Sequence, residues 1–194
     1  MTISFARLGR VTGAVVTAVS LAGALAGTAS AVTFTGHDAH ARALATSPAV
    51  SGKARCLDAS TPPRRNGGPV YLWRCQPASA NQAWVVDGGQ LIVRDTRGTR
   101  MPMCLDAGNP PRRNRGPVYL WRCQAGNANQ AWVVDGGQLI VKDTRGTRSP
   151  MCLDAGSPPR RNGGPVYLWR CHAGNANQAW VIDGGQLIVK DTLS

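Results

Sequence analysis

Acidic, amide and aromatic side chains recur together three times along the chain, at a constant step of 48 residues. The acid stands in a Cys-Leu-Asp motif, an aromatic ring in Leu-Trp-Arg-Cys and the amides in Asn-Gln-Ala-Trp. An ionised carboxylate accepts hydrogen bonds from adjacent hydroxyl groups, and a side-chain amide both donates and accepts. An aromatic ring covers the apolar face of a pyranose with few rotatable bonds to freeze. Together these groups have the chemistry of a site for a polyhydroxylated ligand.

Short β-strands are predicted to carry these residues. Val70 and Leu72 alternate with Tyr71 and Trp73, which places the apolar pair on one strand face and the aromatic pair on the other. The Asp-Gly-Gly segment at 87–89 separates two further strands, because its glycines tolerate the positive φ angles of a tight hairpin. Proline and glycine punctuate the remaining segments, so no helical pattern is visible within the repeats.

The constant period predicts one domain, residues 51–194, built from repeats at about 51–98, 99–146 and 147–194. Each repeat supplies about four strands, and a single repeat of this size could not bury its own apolar face. We therefore expect the three copies to close around a shared core. Trp84, Trp132 and Trp180, which follow a glutamine on inward-packed strands, are expected in that core.

The N-terminal segment has the pattern of a secretory signal peptide, residues 1–31. Arg7 and Arg10 precede an apolar run at 11–27, and Ala29-Ser30-Ala31 supplies the small residues of a cleavage site. A membrane anchor is the alternative, since about 17 apolar residues lie at the lower edge of a spanning helix. The small residues favour removal, so we expect a secreted, extracellular protein with no membrane span after cleavage. Residues 32–50 are predicted to form a flexible leader.

Export predicts that the six cysteines form disulfides. Six cysteines allow fifteen pairings, but a repeated chain most simply repeats one local bond. Zinc is the alternative, yet the sequence has no Cys-x-x-Cys, and we expect no metal and no cofactor. The expected bridges are Cys56–Cys75, Cys104–Cys123 and Cys152–Cys171.

Basic residues outnumber acidic ones, with 22 Lys and Arg against 10 Asp and Glu and a net charge of +12. Such a balance is typical of proteins that bind nucleic acid, acidic polysaccharide or an anionic surface, and composition does not choose among these partners. Arginine pairs stand in the loop between the aspartate and the aromatic residue of each repeat. We expect either solvated loops or contacts to anionic sugars. The arginines are Arg64-Arg65, Arg112-Arg113 and Arg160-Arg161, with Arg115 added in the second copy.

These motifs resemble the ricin B-type lectin family, also called carbohydrate-binding modules of family thirteen. The Gln-x-Trp motif is intact three times, at 82–84, 130–132 and 178–180, and the likeness covers about residues 50–194. It implies an all-β fold, the β-trefoil with pseudo-threefold symmetry. In that fold three hairpins cap a six-stranded barrel, and each repeat holds one potential sugar site.

The resemblance also implies a role for each site residue. The aspartate binds the sugar, the first tryptophan stacks on it, the asparagine makes a second polar contact and the glutamine steadies the aspartate. A tyrosine stands where the family often has glutamine, which implies a wider site, a different sugar or weaker binding. The residues are Asp58, Tyr71, Trp73, Asn81 and Gln82; Asp106, Tyr119, Trp121, Asn129 and Gln130; and Asp154, Tyr167, Trp169, Asn177 and Gln178.

The predicted function is that of a secreted, monomeric lectin with three similar sites for galactose- or xylose-type residues of polysaccharides or glycans. We expect no enzyme activity, because the chain has no glutamate and its aspartates do not form an evident acid and base pair. A basic binder of nucleic acid or anionic surfaces is the alternative, although paired Asp and Asn suit hydroxyl groups better than phosphates. A protease inhibitor would need one special loop, which three near-identical copies do not offer.

Overall fold

The computed structural model describes residues 52–194, so the predicted signal peptide and leader lie outside the described residues. Twelve strands have four residues each. They are β1 (Arg55–Asp58), β3 (Tyr71–Arg74), β4 (Trp84–Asp87), β5 (Gln90–Val93), β6 (Met103–Asp106), β7 (Tyr119–Arg122), β8 (Trp132–Asp135), β9 (Gln138–Val141), β10 (Met151–Asp154), β12 (Tyr167–Arg170), β13 (Trp180–Asp183) and β14 (Gln186–Val189). Two further strands have two residues, β2 (Gly68–Pro69) and β11 (Gly164–Pro165).

Six three-residue 3₁₀ helices also occur in the described range, where the sequence shows no helical pattern. Each is a single turn after a strand or before one, too short for the periodicity that reveals a helix in a sequence. They span Ala80–Gln82, Arg94–Thr96, Ala128–Gln130, Lys142–Thr144, Ala176–Gln178 and Lys190–Thr192.

Antiparallel pairing joins the strands into three sheets. Each sheet contains strands of two repeats, so the three repeats form a closed ring. The orders are β11-β3-β1-β14-β13, β2-β7-β6-β5-β4 and β12-β10-β9-β8. Within each repeat the Cys-Leu-Asp strand pairs with the Tyr-Leu-Trp-Arg strand, so that Asp58 lies opposite Tyr71. Strand β14 of the last repeat pairs with β1 of the first through Ile188 and Cys56. The fold is the predicted all-β trefoil of three repeats.

The core lies where the three repeats meet and is built from the apolar faces that the alternation predicts. Val70 and Leu72 are buried while Tyr71 is half-buried and Trp73 is exposed. Trp84 is buried as predicted, and its indole Nε1 donates to the carbonyl oxygen of Leu57 at 3.0 Å. Because the indole nitrogen has a partner, the large ring is buried without an unsatisfied donor. Trp132 and Trp180 repeat this arrangement.

In each repeat a disulfide links the Cys-Leu-Asp strand to the cysteine that directly follows the Tyr-Leu-Trp-Arg strand. The sulfur atoms of Cys56 and Cys75, Cys104 and Cys123, and Cys152 and Cys171 are bonded, each pair 19 residues apart in sequence. The expected local pairing is therefore confirmed.

Each hairpin is tied to the following repeat around the ring. Gly88 and Gly89 form the turn between β4 and β5 with φ angles of 55° and 82°, the conformation that favours glycine. The Gly89 carbonyl then accepts from the backbone N–H of Trp132, the core tryptophan of the next repeat, at 2.8 Å. Equivalent bonds run from Trp180 to Gly137 and from Trp84 to Gly185. One repeat thereby helps to position the site of the next.

Candidate functional site

The predicted sugar-binding aspartates end the first strand of each repeat and are buried. Asp106 is only 3% exposed, and its Oδ1 accepts from the backbone N–H of Gly108 at 2.9 Å. Its Oδ2 accepts from Gln130 Nε2 at 3.1 Å. Both oxygens are thus fixed in direction by neutral donors. Asp58 and Asp154 have the same partners, Ser60 with Gln82 and Gly156 with Gln178.

The glutamine of each Gln-x-Trp motif is fully buried, and its side chain is hydrogen-bonded within the protein rather than exposed to a ligand. Gln130 Nε2 donates to Asp106 and also to the Arg122 carbonyl at 2.9 Å. Its Oε1 accepts from the backbone N–H of Gln124 at 2.8 Å and from Gln90 Nε2, in the preceding repeat, at 3.1 Å. The predicted contact with the aspartate is present. The bond from the neighbouring hairpin was not foreseen.

A tyrosine and a tryptophan from one strand form the aromatic part of the site. The rings of Tyr119 and Trp121 are tilted, with centroids 5.8 Å apart, and Tyr119 lies directly opposite Asp106 in the sheet register. Burial and the nearby Asp106 carboxylate raise the pKa of the Tyr119 phenol, while Arg112 opposes them. The neutral hydroxyl is therefore retained beside the acid. The pairs Tyr71–Trp73 and Tyr167–Trp169 have the same geometry.

The asparagine is brought to the aspartate by its backbone. In the second repeat the carbonyl of Asn129 accepts from the N–H of Ala107, the residue after Asp106, at 2.8 Å. Asn127 caps the turn beneath it, because its side chain accepts from the Asn129 N–H. The side chain of Asn129 donates to Asn109 Oδ1 at 2.8 Å and accepts from Arg112 Nη2 at 3.0 Å. Its amide is therefore already hydrogen-bonded within the protein.

A buried arginine links the asparagine to a second aspartate, and neither residue was assigned to the site from the sequence. The Arg112 side chain is 6% exposed, bonds Asn129 and the carbonyls of Ala107 and Gly108, and forms an ion pair with Asp143 at 3.0 Å. Equivalent ion pairs join Arg64 to Asp95 at 2.6 Å and Arg160 to Asp191 at 2.8 Å. The signal in the sequence was the constant separation of 31 residues in all three repeats.

The two arginines of each loop thus have different environments, so both expectations are wrong for the first arginine and stay predictions for the second. Arg112 is enclosed and paired with acid, so it is neither solvated nor free to meet an anion. Arg113 is exposed. Burial of one guanidinium is tolerated because carboxylate, amide and carbonyl oxygens surround it.

Two clefts of the described residues lie at seams between repeats, away from the aromatic pairs. One of about 760 Å³ is lined by Gly136, Gln138, Asn175 and Asp191 among others, and its counterpart of about 620 Å³ by Gly88, Gln90, Asn127 and Asp143 among others. At the third seam Arg94 extends to the Gly184 carbonyl at 3.2 Å. The predicted sugar-site aspartates and tryptophans line neither cleft.

Comparison with known proteins decides the family. The sequence matches the family described as "Ricin-type beta-trefoil lectin domain" over residues 45–132 and 97–192. The chain belongs to this family. The repeated aspartates, glutamines and aromatic residues of this ricin-type lectin domain lie within the matched residues. No curated protein matches the chain significantly.

One solved structure similar to this ricin-type domain is described as the earthworm R-type lectin C-half in complex with GalNAc. It is 19% identical, with a TM-score of 0.48, and the match covers 70% of this chain and 96% of that one. Within residues 52–194 of the ricin-type chain, no group of three His, Cys, Asp or Glu side chains could hold a metal ion. No helix in the same range is long and apolar enough to cross a membrane.

Proposed function

We propose that the chain is a secreted, non-catalytic lectin with three similar sites for galactose- or xylose-type residues of polysaccharides or glycans. The observation that carries the proposal is the threefold recurrence, in a ricin-type domain, of an oriented carboxylate beside an accessible aromatic pair. Oxidation of all six cysteines supports export.

In each proposed site the aromatic rings contact the apolar face of the sugar and the aspartate hydrogen-bonds its hydroxyl groups. Trp73 is 36% exposed, so its ring is available to the apolar face of a sugar. Asp58 is 4% exposed, which limits a sugar hydroxyl to the edge of the carboxylate. The half-buried Tyr71 lies opposite Asp58 and adds a hydroxyl that donates and accepts. The rings supply most of the contact area, and the carboxylate fixes the orientation of the sugar through its hydrogen bonds.

Individual sites of this kind bind weakly, with dissociation constants of about 1 mM, or about −4 kcal/mol. The three repeats that carry the sites are joined by three sheets, each of which contains strands of two repeats. A polymer that engages two or three of the sites gains avidity of about 10²-fold or more without any new contact. The proposed target is therefore a polysaccharide or a glycan-coated surface rather than a free monosaccharide.

A glycan array tests this function with two matched variants of the full chain. The triple variant Trp73→Ala, Trp121→Ala and Trp169→Ala removes the rings. The control variant Val86→Ala, Val134→Ala and Ile182→Ala removes exposed apolar side chains, which are 51%, 51% and 43% exposed, from hairpin strands. Neither set belongs to the buried core, so both proteins are expected to fold.

We expect galactose- or xylose-containing glycans to bind the wild type and the control, and to lose binding to the tryptophan variant. Binding should persist at high salt, because ring contacts and hydroxyl bonds are only weakly screened. Binding that ignores the tryptophans and disappears in salt would overturn the proposal in favour of a basic binder of anionic surfaces. Failure of every glycan to bind would also overturn it.

A further inference from the structure

The second repeat carries Arg115 where the other repeats have Gly67 and Gly163. All three residues have left-handed backbone, with φ of 60° at Arg115 and 73° and 72° at the glycines. A residue other than glycine is strained in this conformation. The two glycines form the same loop, so closure of the loop does not require arginine.

Arg115 lies beside the aromatic pair of the third repeat, not that of its own. Its backbone N–H donates to the carbonyl of Leu168 at 2.8 Å, and Leu168 stands between Tyr167 and Trp169 on β12. Burial and Asp154 raise the pKa of the Tyr167 phenol, whereas Arg115 and Arg160 act in the opposite direction. The backbone bond and this electrostatic effect both place the positive charge of Arg115 at the third site.

The charge of Arg115 is also available to a ligand. Its side chain is exposed and has no hydrogen bond or ion pair with another described residue of the range 52–194. Arg160, which belongs to the third repeat itself, is enclosed and paired with Asp191 through two contacts of 3.0 and 2.8 Å. Of these two arginines, only Arg115 offers a guanidinium to an incoming anion.

The other two sites lack this cation. At the second site Gly67 makes the equivalent bond to Leu120 at 2.8 Å, and at the first Gly163 bonds Leu72 at 2.8 Å. Each of these leucines lies between the tyrosine and the tryptophan of its own site. The three sites are therefore alike in acid and rings but differ in charge at one bordering position.

We propose that the third site selects a sugar bearing an anionic group, a carboxylate or a sulfate, which Arg115 binds while the sugar ring rests on Trp169. A guanidinium presents paired N–H donors that match a carboxylate or a sulfate. This inference rests on the proposed function, because it assumes that sugars bind at the aromatic pairs.

The first test isolates the third site in the full chain with Trp73→Ala and Trp121→Ala. Affinity is measured by NMR titration for sugars that differ by one group: galactose against galacturonic acid, xylose against glucuronic acid, and galactose against a sulfated galactose. The first two comparisons identify a carboxylate and the last a sulfate. Arg115→Gly is the paired variant, and it restores the residue found in the other two loops.

The reciprocal test isolates the second site with Trp73→Ala and Trp169→Ala and adds Gly67→Arg. The left-handed backbone at Gly67 matches that of Arg115, and a Cβ atom there would have no other atom within 4 Å. The substitution therefore has room, and it places an arginine beside the tyrosine and tryptophan of the second site.

We expect the isolated third site to bind at least one anionic sugar about fivefold to tenfold more tightly than its neutral partner at low salt. Arg115→Gly should abolish that preference and leave neutral-sugar binding unchanged, and Gly67→Arg should confer the preference on the second site. Equal affinity for neutral and anionic sugars, or a preference that survives Arg115→Gly, would overturn the inference alone. If no sugar of either kind bound, or if binding did not require Trp169, the proposed function itself would be overturned.

Discussion

Gln130→Glu replaces one nitrogen atom by oxygen at the buried junction that orients Asp106. Gln130 Nε2 donates to Asp106 Oδ2 at 3.1 Å and to the Arg122 carbonyl at 2.9 Å. In the variant both acceptors lose their donor, and the introduced carboxyl group, when ionised, would place a second negative charge beside Asp106. The shape of the side chain is almost unchanged, so the effect reports hydrogen bonding and charge rather than packing.

The expected loss of stability follows from those two contacts. A buried hydrogen bond whose partner is left unsatisfied costs about 1 to 3 kcal/mol, so the free energy of unfolding should fall by about 4 kcal/mol near pH 7. For a domain of this size the melting temperature falls by about 3 °C per kcal/mol. The predicted decrease is therefore about 12 °C.

The loss should depend on pH, with a definite sign. Burial and the neighbouring Asp106 raise the pKa of the introduced carboxyl group in the folded variant above its unfolded value of about 4.3. When protonated, this carboxyl group donates one hydrogen bond, so the variant is most stable below the unfolded pKa. That stability is lost as pH rises through the raised folded pKa. At about pH 3.5 we expect roughly half the loss seen near neutrality.

Thermal unfolding followed by near-ultraviolet circular dichroism measures both effects, with wild type at each pH as the reference. Gln124→Glu is the matched control, because it makes the same chemical change on an exposed residue. It should alter the melting temperature by less than about 2 °C. A destabilisation of Gln130→Glu that is small, or identical at both pH values, would refute the proposed role of its amide.

Two further predictions concern the charges around the site. Asp143→Asn should lower the free energy of unfolding by about 1 to 2 kcal/mol, because it leaves the enclosed Arg112 without its carboxylate. The control is Asp135→Asn, which breaks an ion pair whose members Asp135 and Arg145 are 51% and 56% exposed and should change that free energy by less than about 0.5 kcal/mol. Denaturant titrations measure both variants, and equal effects would contradict the difference in burial. Burial and a carboxylate raise the pKa of Tyr119 and Tyr167. The contribution of the two neutral phenols to the free energy of unfolding should therefore be complete below the unfolded pKa of about 10 and lost as pH rises through the folded pKa. Phenolate absorbance of wild type against Tyr119→Phe and Tyr167→Phe checks this, and tyrosines that all ionise at their ordinary pKa would contradict it.

Much of the fold follows from local patterns. The alternation of residues 70–73 predicts which face is buried, and the glycines at 88–89 predict the hairpin turn. The repeat predicts the disulfides, because the simplest pairing of a repeated chain repeats one bond. The first two inferences depend on neighbours in sequence, whose backbone geometry is nearly the same in any fold that contains the strand or turn, whereas the disulfide inference depends on the repeat.

The candidate site was predictable only in part. The residue types indicated acid, amide and ring, and the family resemblance indicated that Gln82 steadies Asp58. The enclosed ion pair of Arg64 with Asp95 was missed, because the sequence assigns no partner to a charge 31 residues away. The burial of Asp58 was missed for a similar reason, since a carboxylate is more often exposed.

The sequence by itself determined the period, the strand faces, the turns and the chemical groups of each site. Only the tertiary structure decided which groups from different repeats meet. Gln90 of one repeat holds Gln130 of the next, and Arg115 borders Tyr167 rather than Tyr119. The physical reason is that closure of the ring sets each loop and hairpin against the following repeat. In three almost identical copies, no local pattern records the direction of that contact.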